Sequence, residues 1–86
     1  NKQDKQIKNI AHHLNSLYEE IIYYQENGLK QASLLIQTAN QKYNNEDIEY
    51  YEYMQSIKNA YEIKLNYLQT IKEYNQTASN LEFYIN

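Results

Sequence analysis

Eighty-six residues of net charge −3, with no cysteine, no proline and a single glycine, leave room for one domain at most. They exclude disulfides and thiol metal sites, and they lack the turn punctuation of a β-rich domain. Eight basic residues, all lysine, form no basic patch, which argues against a nucleic-acid partner, and no apolar run is long enough to cross a membrane. Eleven tyrosines stand against one phenylalanine. Tyrosine carries an apolar ring and a polar tip, so such a chain suits half-buried layers between helices better than a closed core.

In chain order, residues 1–6 are polar and are expected to fray. Ile7, Ile10, Leu14, Leu17, Ile21 and Tyr24 then recur at alternating steps of 3 and 4, a heptad seam. The next position is Gly28, where this seam is read as fading. A second seam, Ile22, Leu29, Ala32, Ile36, Ala39 and Tyr43, with Gln25 in its gap, has the same period displaced by one residue. The buried face therefore turns about the helix axis, as at a stutter. Glycine also costs roughly 1 kcal/mol of helix propensity against alanine. A bend or short break near residues 27–29 is predicted, with helix on both sides.

The stretch Tyr43–Gln55 organises the rest. Asn44 and Asn45 are turn-formers, and Glu46, Asp47 and Glu49 follow directly. This pattern ends one helix, reverses the chain at Asn44–Glu46, and opens a second helix with acids in its first turn. The third seam is the most regular: Tyr50, Tyr53, Ile57, Ala60, Lys64, Tyr67, Ile71, Tyr74, Ala78, Leu81 and Ile85. Lys64 could fix register or pair with an acid, but snorkelling along its stem is the simpler reading. Tyr51, Met54, Tyr61, Leu65 and Leu68 form a flanking stripe, and a helix with two adjacent stripes touches more than one neighbour. The fold class is thus all-α: a long antiparallel hairpin with arms over about 5–43 and 47–85, each on the order of 57 Å long. The packing residues of the second arm are Ile57, Ala60, Tyr67, Ile71, Tyr74, Ala78 and Leu81.

The segment Tyr23-Tyr24-Gln25-Glu26-Asn27-Gly28-Leu29-Lys30-Gln31-Ala32 resembles the "YYE..GLPQA" segment of the TolC-like outer-membrane efflux family, nearest its heavy-metal, CusC/CzcC-like branch, whose members are sometimes fused to the pump. Tyr43–Gln55 resembles that family's "YxxGxIDYxExLQ" tip. Ala60–Leu68, Tyr74-Asn75-Gln76 and Leu81–Tyr84 resemble its returning helix. The likeness covers roughly residues 20–86 and contains no catalytic motif. It implies the last helical hairpin of one protomer of a trimeric tube, in the periplasmic portion of an outer-membrane protein. Its turn would meet a periplasmic adaptor protein and, through it, an inner-membrane pump. Membrane contact would be made only by other parts of the parent, and the cargo, heavy-metal cations, would pass through unchanged. Lys30 stands at the family's proline, which favours a continuous first arm, and Glu46 stands at its tip glycine, which alters the adaptor-contact geometry.

Glu52 falls where relatives carry a carboxylate at the periplasmic entrance. Three copies would form a negative ring able to attract cations, weakened because Gln55 holds the next position. The plain reading of Glu52 is a solvated acid. Glu46, Asp47 and Glu49 could meet a basic adaptor tip, or simply complement a helix dipole. His12 and His13 are adjacent, point about 100° apart and cannot chelate together, so they read as surface residues and no metal or cofactor is assigned. No nucleophile–base pair or phosphate loop suggests an enzyme. The chain begins at Asn1 without methionine and reads as a piece of a longer protein. A free-standing coiled-coil interaction module remains the alternative to the duct.

Overall fold

A computed structural model describes residues 1–85. They form an antiparallel helical hairpin 64 Å long and 20 by 16 Å across. The first arm contains α1 (Lys2–Tyr23), a π-helical turn (Tyr24–Gly28) and α2 (Leu29–Asn44); the second arm is α3 (Tyr50–Ile85). At 1.5 Å per residue, the 43 residues of the first arm account for about 64 Å, the whole long dimension.

The first helix starts earlier than the polar composition of residues 1–6 suggests. The Asn1 side chain accepts a hydrogen bond from the Asp4 backbone N–H at 3.0 Å, capping the helix at Lys2. Gln3 Nε2 donates to the Tyr84 carbonyl at 3.2 Å, tying the two ends of the hairpin together.

The disturbance expected near residues 27–29 occupies Tyr24–Gly28 and takes the form of a widened turn, through which the helix runs unbroken. The Leu29 N–H donates to the Tyr24 carbonyl, five residues back. Nor does the seam fade at Gly28: the glycine is buried. A Cβ built there would lie 2.7 Å from Tyr24 Cδ1 and 3.6 Å from Ile63 Cγ2. The missing side chain makes room for the tyrosine ring. That ring meets Tyr67 across the hairpin, centroids 5.7 Å apart.

Small residues carry the closest packing. Among the described residues the buried apolar side chains are Leu17, Ala32, Ala39 and Ala60. Ala32 and Ala60 are fully covered, and the pairings of Tyr24 with Tyr67 and of Asn40 with Tyr53 place them opposite one another. Methyl groups let the backbones approach there, while tyrosines bridge the arms elsewhere. Tyr18 meets Tyr74 at 6.5 Å, and Tyr43 stacks on Tyr53 at 4.7 Å. Ile57, Tyr67, Ile71, Tyr74, Ala78 and Leu81 are half-buried along α3. So are Ser56, Ile63, Thr70, Thr77 and Tyr84, a seven-residue row beside the seam.

Candidate functional site

The connection between the arms sets the geometry of the tip. The Asn45 N–H donates to the Gln41 carbonyl, Glu46 N–H to Tyr43, and Asp47 N–H to Lys42, at 3.0, 3.0 and 2.8 Å. The last two bonds make a Schellman motif, which places its left-handed residue one beyond the cap. That residue is Glu46, with φ 61°, in a conformation glycine adopts without strain. The chain then crosses Asp47 and Ile48 to Glu49, whose carbonyl accepts the first bond of α3 from Tyr53 at 3.0 Å.

Arm two therefore begins at Tyr50, three residues beyond the expected position. The physical reason is that closing the Schellman motif uses Glu46 and Asp47 as connection. None of the three acids expected in the first helical turn lies inside it: Glu46 and Asp47 lie in the connection and Glu49 stands at the cap, while Glu52 is the acid within the turn. All four are exposed, as is Gln55, whose amide donates to Asn59 Oδ1 at 3.3 Å along its own helix. The structure thus gathers Glu46, Asp47, Glu49, Glu52 and Gln55 at one end of the hairpin. An open recess there is lined by Tyr43, Asn44, Glu46, Ile48, Glu49 and Tyr50. Ile48 was not singled out from sequence, yet it is half-buried. Its place just before the cap, five positions ahead of half-buried Tyr53, the fourth helical residue, is the signature of a hydrophobic staple. The rings of Tyr43, Tyr50 and Tyr53 cluster behind it, and Tyr53 Oη donates to Asn40 Oδ1 at 2.8 Å.

The flanking stripe of α3 faces away from the first arm. Tyr51 is 77% exposed, Met54 44%, Tyr61 54%, Leu65 62% and Leu68 59%. A second apolar patch lies on α2, where Leu34 (62%) and Leu35 line a shallow recess with Gln31 and Thr38. In an antiparallel pair, residues following the seam on one helix lie on the opposite side from residues preceding it on the other. The α3 stripe follows the seam, whereas Leu35 precedes Ile36 of its own. The two patches therefore occupy opposite faces of the two-helix ribbon, at overlapping heights in its tip-proximal half. A compact protein of this mass exposes about 5,400 Å². This hairpin exposes 6678 Å², an excess on the order of the surface one partner buries in a stable interface.

Lys64 is half-buried in the seam, and its Nζ reaches the Tyr61 ring, 5.6 Å from the centroid. The stem lies along the packing face while the charge gains a cation–π contact at the surface. His12 and His13 are both exposed, and no three His, Cys, Asp or Glu side chains among the described residues are grouped to hold a metal ion. No helix of the described residues is long and apolar enough to cross a membrane.

Comparison with protein-family models, with curated proteins and with solved structures finds no match to this chain.

Proposed function

We propose that this hairpin is a stave of a helical conduit wall, the periplasmic α-helical barrel of a TolC-like outer-membrane efflux duct, with its connection at the periplasmic tip. The observation that carries the reading is the pair of apolar patches on opposite faces: Tyr51, Met54, Tyr61, Leu65 and Leu68 on one, Leu34 and Leu35 on the other. A hairpin with one greasy face docks once and stops. A hairpin with two accepts a neighbour on each side, and repeated contacts of that unlike-to-unlike kind close into a ring. The likeness of residues 20–86 to the family's last hairpin supplies the identity of the ring, a homotrimeric tube. Glu46, Asp47, Glu49 and Glu52 then form its acidic lip, where a periplasmic adaptor and its pump would dock and heavy-metal cations would enter. The chain acts by shape and charge and performs no covalent chemistry.

Two measurements test this. Sedimentation of the chain is expected to show self-association that Leu65→Ser with Leu68→Ser abolishes while the helical signal is kept. A monomer at the highest attainable concentration overturns the two-neighbour reading. The reading frame that encodes the chain is expected to carry a second similar hairpin and amphipathic β-strands. If it carries unrelated coiled coil instead, the duct is refuted and the free-standing interaction module takes its place, since the same stripe would serve a docking helix.

A further inference from the structure

The first arm holds one residue more than its packing needs. Ile7, Ile10, Leu14, Leu17, Ile21 and Tyr24 alternate in steps of 3 and 4, and Leu29, Ala32, Ile36, Ala39 and Tyr43 continue the alternation. Between Tyr24 and Leu29 the step is 5, where the pattern requires 4. Removing any one intervening residue gives an unbroken seam from Ile7 to Tyr43. The structure stores the surplus in the π turn Tyr24–Gly28, where the Leu29 N–H bonds five residues back.

The same stretch offers two registers, each with apolar residues at its ends or centre. Ile21, Tyr24 and Gly28 serve one; Ile22, Gln25 and Leu29, each one residue later, serve the other. Ile21 and Ile22 are both half-buried, and Leu29 is half-buried beside buried Gly28. Tyr24 and Gln25 both already engage Tyr67, the first by its ring and the second by an Nε2 hydrogen bond to the phenol oxygen at 3.2 Å.

We propose that the surplus residue is mobile, and that the π turn moves one heptad toward the amino end, to Leu17–Ile21. Residues 22–28 then rotate about 100° as α-helix. Ile22, Gln25 and Leu29 replace Ile21, Tyr24 and Gly28 against α3. Residues 7–17 and 32–43 keep their register, so neither the base nor the tip of the hairpin moves. The device turns Tyr23, Tyr24 and Glu26 to a new bearing on the flank of the ribbon without lengthening or bending it. It is independent of the duct reading.

Amide hydrogen exchange on the whole chain tests it. Residues 22–28 are expected to exchange about tenfold or more faster than residues 10–16 and 33–39, because each relocation breaks and remakes their helical bonds. Deleting Asn27 removes the surplus; exchange should fall to the level of the flanks and the melting temperature should rise. Ile22→Gln makes the second register more polar and should slow exchange in the same segment relative to the flanks, although it also weakens the half-buried contact that Ile22 makes in the observed packing. Equal protection across the wild-type arm overturns the proposal. So does fast exchange that survives either variant, or a deletion variant that fails to fold.

Discussion

Replacing Glu46 with glycine should stabilise the hairpin. Glu46 holds φ 61°, where an L-residue with a side chain costs roughly 1–2 kcal/mol. Glycine removes that strain but has more freedom to lose on folding, about 0.5–1 kcal/mol. The substitution also removes an acid just beyond the carboxyl end of α2, where negative charge opposes the helix dipole by about 0.3–1 kcal/mol. The backbone bonds of Glu46 to Tyr43 and of Asp47 to Lys42 involve no side chain and are retained. The net gain is about 1 kcal/mol, which in a domain of this size raises the melting temperature by roughly 4–8 °C. Circular dichroism melts of the wild type, Glu46→Gly and Glu46→Gln at one matched concentration measure it, because association also shifts the melt. Glu46→Gln removes the charge and keeps the strained backbone, so it should gain only the charge contribution, about 0.3–1 kcal/mol, and fall short of the glycine variant. If the glutamine variant equals the glycine variant, backbone strain at the tip is not the cause. If Glu46→Gly lowers the melting temperature, the account of the connection is wrong.

Gly28→Ala should destabilise by about 1 kcal/mol although alanine is the better helix former, because overpacking at 2.7 Å from the Tyr24 ring costs about 1–3 kcal/mol against a propensity gain near 1. In a Tyr24→Ala background the clash is absent and the same change should become neutral or stabilising; a double-mutant cycle of denaturant midpoints reads both, and stabilisation in the wild-type background would refute the packing claim. Ala60→Leu has no space at the fully covered contact opposite Ala32 and should cost about 1–3 kcal/mol in chemical denaturation; an unchanged midpoint would mean the arms are not in close contact there.

The hairpin was legible because the heptad steps over Ile7–Tyr24, Leu29–Tyr43 and Tyr50–Ile85 make one buried face per helix, and nothing else in the composition offers a competing fold. The five-residue step between Tyr24 and Leu29 was visible as a displaced seam. Its form was not, because a break and a π turn share the same spacing, and the choice depends on how Tyr24 settles over Gly28. The start of α3 was misplaced because acids suit a helix amino end in general, while closing the Schellman motif takes up Glu46 and Asp47 here. The row of Ser56, Thr70 and Thr77 beside the seam escaped notice because hydroxyl side chains carry no hydrophobic signal even when a neighbouring arm half covers them. At the tip, sequence placed the acids together but not the tyrosine cluster behind them, since Tyr43 and Tyr53 meet only once the connection has its length.

The ring pairs joining the two arms have a mechanical meaning. Tyr18 with Tyr74, Tyr24 with Tyr67, and Tyr43 with Tyr53 are spread along the length of the rod like cross-bolts. To slide one arm past the other by a single pitch, about 5.4 Å, would pull all three apart together. At about 0.5–1.5 kcal/mol each, that adds up to about 2–4 kcal/mol of resistance to shear, from side chains that contribute little to a dry interior. A push at the acidic end is therefore passed to the far end as a rigid displacement rather than absorbed as slippage.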